Sequence, residues 1–152
     1  MAERSVVHAT FSIQRAYDSP PAKVFNAFAD PAVKRRWFAE GEGCQVDEYS
    51  VDFNVGGYER TRFRFGDGAP MRNDTTYHDI VPNERIIFSY TMTIGENRIS
   101  SSLATIEFNK AGAGTELRLT EQGAFLDGLD TVGPREAGWK DLLETLARAL
   151  QS

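Results

Sequence analysis

The sequence predicts an α+β fold, a curved seven-stranded antiparallel sheet around a long C-terminal helix with two short helices after the first strand. Three observations predict it. One alternating apolar segment opens the chain, two proline-marked helix starts follow, and six strand-like runs with short breaks lead to one long amphipathic helix. A chain of 152 residues without an internal repeat or linker-like tract reads as one domain, 1–152.

The first strand is Val7 to Tyr17, where Val7, Ala9, Phe11 and Ile13 alternate with His8, Thr10, Ser12 and Gln14. Ser19-Pro20-Pro21 ends it and opens a helix, with Ser19 as the expected cap and Val24, Phe25 and Phe28 on one face. Asp30-Pro31 repeats the signal for a second short helix carrying Val33, Trp37 and Phe38.

The following strands are expected at Gln45–Asn54, Tyr58–Phe65, Met71–Val81, Arg85–Thr93, Ile99–Asn109 and Thr115–Glu121. Their breaks are short, as hairpin connections are, with Gly56-Gly57 and Pro82-Asn83 as tight turns. Phe125, Leu126 and Leu129 fall in the loop before the last helix, where they would close one end of the grip. In Arg135–Gln151, the residues Trp139, Leu142, Leu143, Leu146, Ala149 and Leu150 recur at three- and four-residue steps. Glu144 and Arg148 stand at ion-pair spacing on the outer face.

A curled sheet of this length encloses more width than one helix, about 10–12 Å across, can fill. A ligand-sized apolar cavity is therefore expected between sheet and helix. Its candidate lining is Trp37, Phe38, Tyr49, Tyr77, Phe88, Tyr90, Met92, Ile106, Phe125, Trp139 and Leu143. The same residues would serve equally as plain core.

Composition narrows the function. A net charge of −5 disfavours nucleic acid, and the alternate Arg60, Arg62 and Arg64 read as a solvated strand face flanked by Glu59 and Asp67. No apolar run approaches the ~20 residues of a membrane span. Met1-Ala2-Glu3-Arg4-Ser5 has no apolar stretch of the signal-peptide kind. The single Cys44 excludes an internal disulfide and a cysteine-rich metal site, and a cytoplasmic location is expected.

No catalytic constellation is recognisable. His8 lies opposite its strand's apolar face, and Asp79 cannot support its neighbour His78 from the opposite face of a strand. No nucleophile elbow or phosphate-cradling glycine loop is present, no metal site has ordinary ligand spacing, and no cofactor is implied. Phe63 and Phe65 leave a homodimer face open as an alternative to core.

The order of elements and several short motifs resemble the START-like superfamily, also called SRPBCC or the Bet v 1-like helix-grip fold. The likeness is closest to the family of the heat-shock protein 90 ATPase activator's C-terminal domain. It is carried by Ser19 to Pro31, Arg36-Trp37-Phe38, Asp52 to Tyr58, Asp67-Gly68, Ile80 to Phe88, Gly114 to Thr120 and Gly138-Trp139, over roughly Phe11 to Leu150. Two positions depart from it: Asn54 stands where a basic residue is common, and Glu121 where a histidine is frequent.

The resemblance implies binding of a small hydrophobic molecule (a lipid, polyketide or aromatic metabolite) in the internal cavity. Two alternatives come with it: a cavity enzyme of cyclase, aromatase or dehydratase type, or a chaperone-associated stress-response module. For such an enzyme, Tyr77, Tyr90, Glu107, Arg118 and Glu121 are the groups that would polarise a carbonyl if they turn inward.

Overall fold

A computed structural model describes residues 3–41 and 43–151. Met1 and Ala2, read above for a signal segment, lie outside the described residues. The elements in chain order are β1 (Val6–Tyr17), α1 (Pro21–Ala29), α2 (Pro31–Lys34), a π-helical turn (Arg35–Ala39), β2 (Cys44–Val51), β3 (Tyr58–Phe65), β4 (Met71–Val81), β5 (Arg85–Ile94), β6 (Asn97–Ala111), β7 (Gly114–Leu126) and α3 (Val132–Ala149). The sheet is antiparallel throughout, in the order β1-β7-β6-β5-β4-β3-β2. Hairpins make every neighbour in it except the β1–β7 pair, which closes chain start against chain end. The fold is the expected helix grip.

Local chemistry explains most boundaries. Asp30 caps α2, its carboxylate accepting from the Ala32 amide at 3.0 Å. Ser19 does not cap α1: Pro20 takes that position, and the Ser19 carbonyl accepts instead from the Thr115 hydroxyl at 2.8 Å. The π-helical turn brings the consecutive residues Trp37 and Phe38 into the interior with their rings in contact at 5.8 Å. Trp37 fastens that turn to α1 by donating to the Ala27 carbonyl at 2.8 Å. Gly57 is required for closeness rather than for its dihedral: a Cβ there would collide with the Asp52 carbonyl and sit 2.8 Å from that of Asn54.

The structure moves several expected boundaries. β7 runs on to Leu126, so Phe125 is a buried strand residue paired with Ser100 and Val7, not part of a closing loop. Leu129 is exposed and closes nothing. β2 ends at Val51, short of Asn54, and α3 begins at Val132, one turn before Arg135. Val7 keeps the apolar parity of its strand but is exposed near the free end of this edge strand. Glu144 reaches Arg15 on β1 at 3.5 Å rather than its expected helical neighbour. Phe63 is half-buried and Phe65 exposed, their rings 5.9 Å apart.

Candidate functional site

The register arranges the helix-facing side of the sheet in rows that cross the strands. One row is Ile80, Ile86, Ile106, Leu119 and Ile13, and beyond it lie Phe108 and Leu117. α1 covers this apolar end, with Phe25 and Phe28 meeting the Phe108 ring at 5.5 Å each. In the other direction polar side chains enter the rows. The next row is Tyr77, Phe88, Ala104, Glu121 and Phe11, then Glu59, Thr75, Tyr90, Ser102, Gly123 and Ala9. The last is Tyr49, Thr61, Asn73, Met92, Ser100 and Phe125. An apolar cavity is expected here, yet this half of the concave face mixes aromatic side chains with charged and hydroxyl groups.

Two buried networks occupy it. In the first, Glu121 (0% exposed) accepts from the Tyr90 hydroxyl at 2.6 Å and the Trp139 indole N–H at 2.8 Å. Arg135, one turn before Trp139 on α3, lies 3.4 Å from the same carboxylate and donates to Tyr90 Oη at 3.1 Å, Ser100 Oγ at 2.8 Å and Asp130 Oδ2 at 2.6 Å. In the second, Glu59 accepts from Lys34 Nζ at 2.8 Å and from the Tyr77 hydroxyl at 2.6 Å. Lys34 sits 4.5 Å from the Phe38 ring centre and 5.9 Å from that of Phe88. Five strands of the sheet, α2 and the first turns of α3 thus contribute to the two networks at one end of the grip.

Burial and charge set the protonation states. Burial pushes the Tyr90 hydroxyl well above its ordinary value and the Glu121 carboxylate pushes it further. Tyr77 is raised first by burial and then by Glu59, and Tyr49 likewise. Burial lowers Arg135, but Tyr90, Glu121 and Asp130 together outweigh it, so the guanidinium is held above its usual range and stays charged.

Three hydroxyls on this face have no partner: Ser102 Oγ, Thr61 Oγ1 and Tyr49 Oη. Ser102 is 4% exposed and Thr61 2%. Ser102 faces Gly123, and Thr61 faces Tyr49 across the β2–β3 pair. A buried hydroxyl without a hydrogen bond costs roughly 1–3 kcal/mol, so groups of this kind call for a partner.

Of the expected lining, Tyr77, Phe88, Tyr90, Trp139 and Phe125 gather in this half, with Phe38 and Met92 half-buried beside them. Trp37, Ile106 and Leu143 belong to the close-packed core, Leu143 giving its carbonyl to the Tyr17 hydroxyl at 2.9 Å. Tyr49 stands on the β2 edge strand, its ring centre 5.9 Å from the Arg35 guanidinium. Among the five carbonyl-polarising candidates, Tyr77, Tyr90 and Glu121 turn inward; Glu107 and Arg118 share the outward parity of their strands and pair with one another in register.

Sequence reasoning passed over Lys34, Glu59, Arg135, Thr61, Ser100 and Ser102. Spacing held a signal for three of them. Lys34 precedes Trp37 by three residues and Arg135 precedes Trp139 by four, each on its helix's buried face. Glu59 shares the parity of Thr61 and Phe63, opposite Arg60, Arg62 and Arg64.

Two open hollows lie on the outer side of the sheet rather than between sheet and α3. One of about 490 Å³ is bounded by Tyr58, Arg60, Arg62, Asp74, Ser89 and Ser101 among others, and one of about 270 Å³ by His8, Thr10 and Gln122. Several polar groups of the first already have partners: Arg62 binds Asp74 at 2.9 Å, Arg60 stacks on Tyr58 at 4.4 Å, and His78 Nε2 meets Ser89 Oγ at 2.7 Å. The arginine stripe is the solvated face expected of it. Among the described residues, no group of three or more potential ligands is placed to hold a metal, and no helix is long and apolar enough to cross a membrane.

Comparison with known proteins is consistent with this architecture. Solved structures from Rhizobium loti (50% identity, TM-score 0.90, 95% of this chain and 99% of that one) and Rhizobium leguminosarum (43%, 0.94, 98% of each) resemble it over nearly their full lengths. An AHSA1-like protein from Aeromonas hydrophila (22%, 0.72, 94% and 92%) shares the fold. Curated proteins give no match. The family model described as Activator of Hsp90 ATPase homolog 1-like protein matches residues 18–151, and the chain belongs to that family.

Proposed function

We propose that the protein binds a small, largely apolar molecule between the sheet and the first turns of α3, with the polar rows of the concave face holding the molecule's polar end. The observation that carries this reading is the set of three buried hydroxyls without partners, Ser102, Thr61 and Tyr49, on the side of the sheet facing α3. A core selected for stability alone would place apolar side chains there, as the Ile86 and Ile106 row does. Ser100, Ser102, Thr75 and Gly123 put small residues at this end of the sheet, with the Phe125 ring lying against Gly123. Phe38 and Trp139, whose ring centres are 6.2 Å apart, stand between the π-helical turn and α3 and would move aside on entry.

Native mass spectrometry of the purified protein, with thermal-shift screening of hydrophobic compounds, tests the reading. A co-purifying or stabilising small molecule supports it. A protein that carries nothing and gains no stability from any compound in the screen refutes it.

A further inference from the structure

The polar end of the grip also defines which ligands it accepts. On the reading that a small molecule binds there, we propose that the site takes uncharged molecules bearing hydroxyl or carbonyl groups and rejects carboxylic acids and amines of the same size and hydrophobicity.

Every interior cation is already matched. Lys34 is bound to Glu59 at 2.8 Å, and Arg135 to Asp130 at 2.6 Å and to Glu121 at 3.4 Å. Arg35, at the Tyr49 rim, is bound to Glu40 at 2.9 Å. Among the described residues, neither interior cation is left over to receive an anion, and three carboxyl groups face two cations. An entering carboxylate would meet a formal excess of negative charge. An ammonium would have to compete for carboxylates whose oxygens already accept from Lys34, Tyr77, Tyr90, Trp139 and Arg135, and would lose its hydration doing so.

Apart from Arg64 Nε in the outer arginine stripe, the buried side-chain atoms left without a partner are of one chemical kind. Ser102 Oγ, Thr61 Oγ1 and Tyr49 Oη each donate one hydrogen bond and accept others, and none carries a charge. Such groups pair with alcohols, phenols, ketones and amides without any change of protonation. Ser102 stands beside Tyr90 in the same row, and Thr61 three strands from Ser102 in the next, so a ligand spanning both would carry polar groups at more than one point along an apolar body.

A matched series of single-chain amphiphiles tests the selectivity: 1-dodecanol, dodecanamide, dodecanoic acid and dodecylamine at neutral pH, each titrated into the intact protein below its aggregation limit. Binding is followed by tryptophan fluorescence and by the shift in melting temperature. The alcohol and amide are expected to bind at least about tenfold more tightly than the acid and the amine. Replacing Ser102 and Thr61 together (Ser102→Ala, Thr61→Val) is expected to weaken the alcohol about three- to tenfold and leave dodecane unchanged. Equal or tighter binding of the acid or the amine overturns the charge selectivity while leaving small-molecule binding in place. Equal weakening of dodecane and the alcohol in the double variant overturns the role of the hydroxyls. Absence of binding by the whole series, dodecane included, refutes both this inference and the reading it rests on.

Discussion

Ser102→Ala removes a single oxygen atom, and its effect on stability has a definite sign. In the protein without a ligand, Ser102 Oγ is buried and has no partner, between the Tyr90 and Gly123 positions of its row. An unsatisfied buried hydroxyl costs the fold about 1–3 kcal/mol, and an alanine methyl fits in the same space without that cost. The variant is therefore expected to be more stable by about 1–2 kcal/mol. At roughly 2–4 °C per kcal/mol for a domain of this size, its melting temperature should rise by about 2–8 °C. Urea unfolding with both free energy and slope fitted is the assay, because an unchanged slope shows that the two native states bury the same surface. Most core substitutions destabilise, which makes a gain informative. A loss of more than about 1 kcal/mol would refute the reasoning, since it would mean that Ser102 already has a partner in the unliganded fold and does not wait for a ligand.

Three further outcomes follow from the same site. Lys34→Met strands the Glu59 carboxylate beside Tyr77 and should cost about 3–5 kcal/mol, whereas Lys34→Met with Glu59→Leu should return close to the parent because only the Tyr77 acceptor is then missing; urea unfolding of the two variants checks this, and a cost under about 1 kcal/mol for the single change contradicts the burial of the pair. Gly123→Ala places a Cβ 2.9 Å from the Phe125 ring and 3.2 Å from Ser102 Oγ, so it should destabilise by about 1–3 kcal/mol and weaken any ligand held there, measured by thermal shift with and without that ligand. Tyr17, Tyr49, Tyr77 and Tyr90 are all raised, chiefly by burial, so their contribution is intact below the unfolded tyrosine value of about 10 and is lost as pH rises beyond it. Alkaline titration followed by tyrosinate absorbance should accordingly show these four ionising only together with unfolding, and reversible ionisation of all of them in the folded protein would contradict it.

The fold was readable because each element repeats a period that backbone geometry enforces. The turn residues around β3 and β4 mark both strands to the residue, and Pro31 marks the start of α2. The end of β7 was not readable in the same way. Gln122, Gly123 and Ala124 look like a turn, yet the strand passes through them because β1 and β6 hold hydrogen bonds on both sides. The polar half of the concave face was obscured for a related reason. A lysine or glutamate is read as solvent-facing unless its partner is known, and Lys34 meets Glu59 across 25 residues of sequence and Arg135 meets Tyr90 across 45. Aromatic and aliphatic side chains were placed in the interior because burial is their default. The pairs that make the site polar emerge only when the strands are in register.

Which side of the sheet receives a ligand separates the proposed site from the open outer hollows. A two-dimensional amide and indole NMR titration of the isotope-labelled protein with 1-dodecanol measures it directly. Binding within the grip should shift the Trp139 indole N–H, now bound to Glu121 at 2.8 Å, together with the amides of Thr61, Ser102 and Gly123. Shifts centred instead on Tyr58, Arg60, Ser89 and Ser101, with the Trp139 indole unmoved, would put the ligand on the outer face and contradict an interior site.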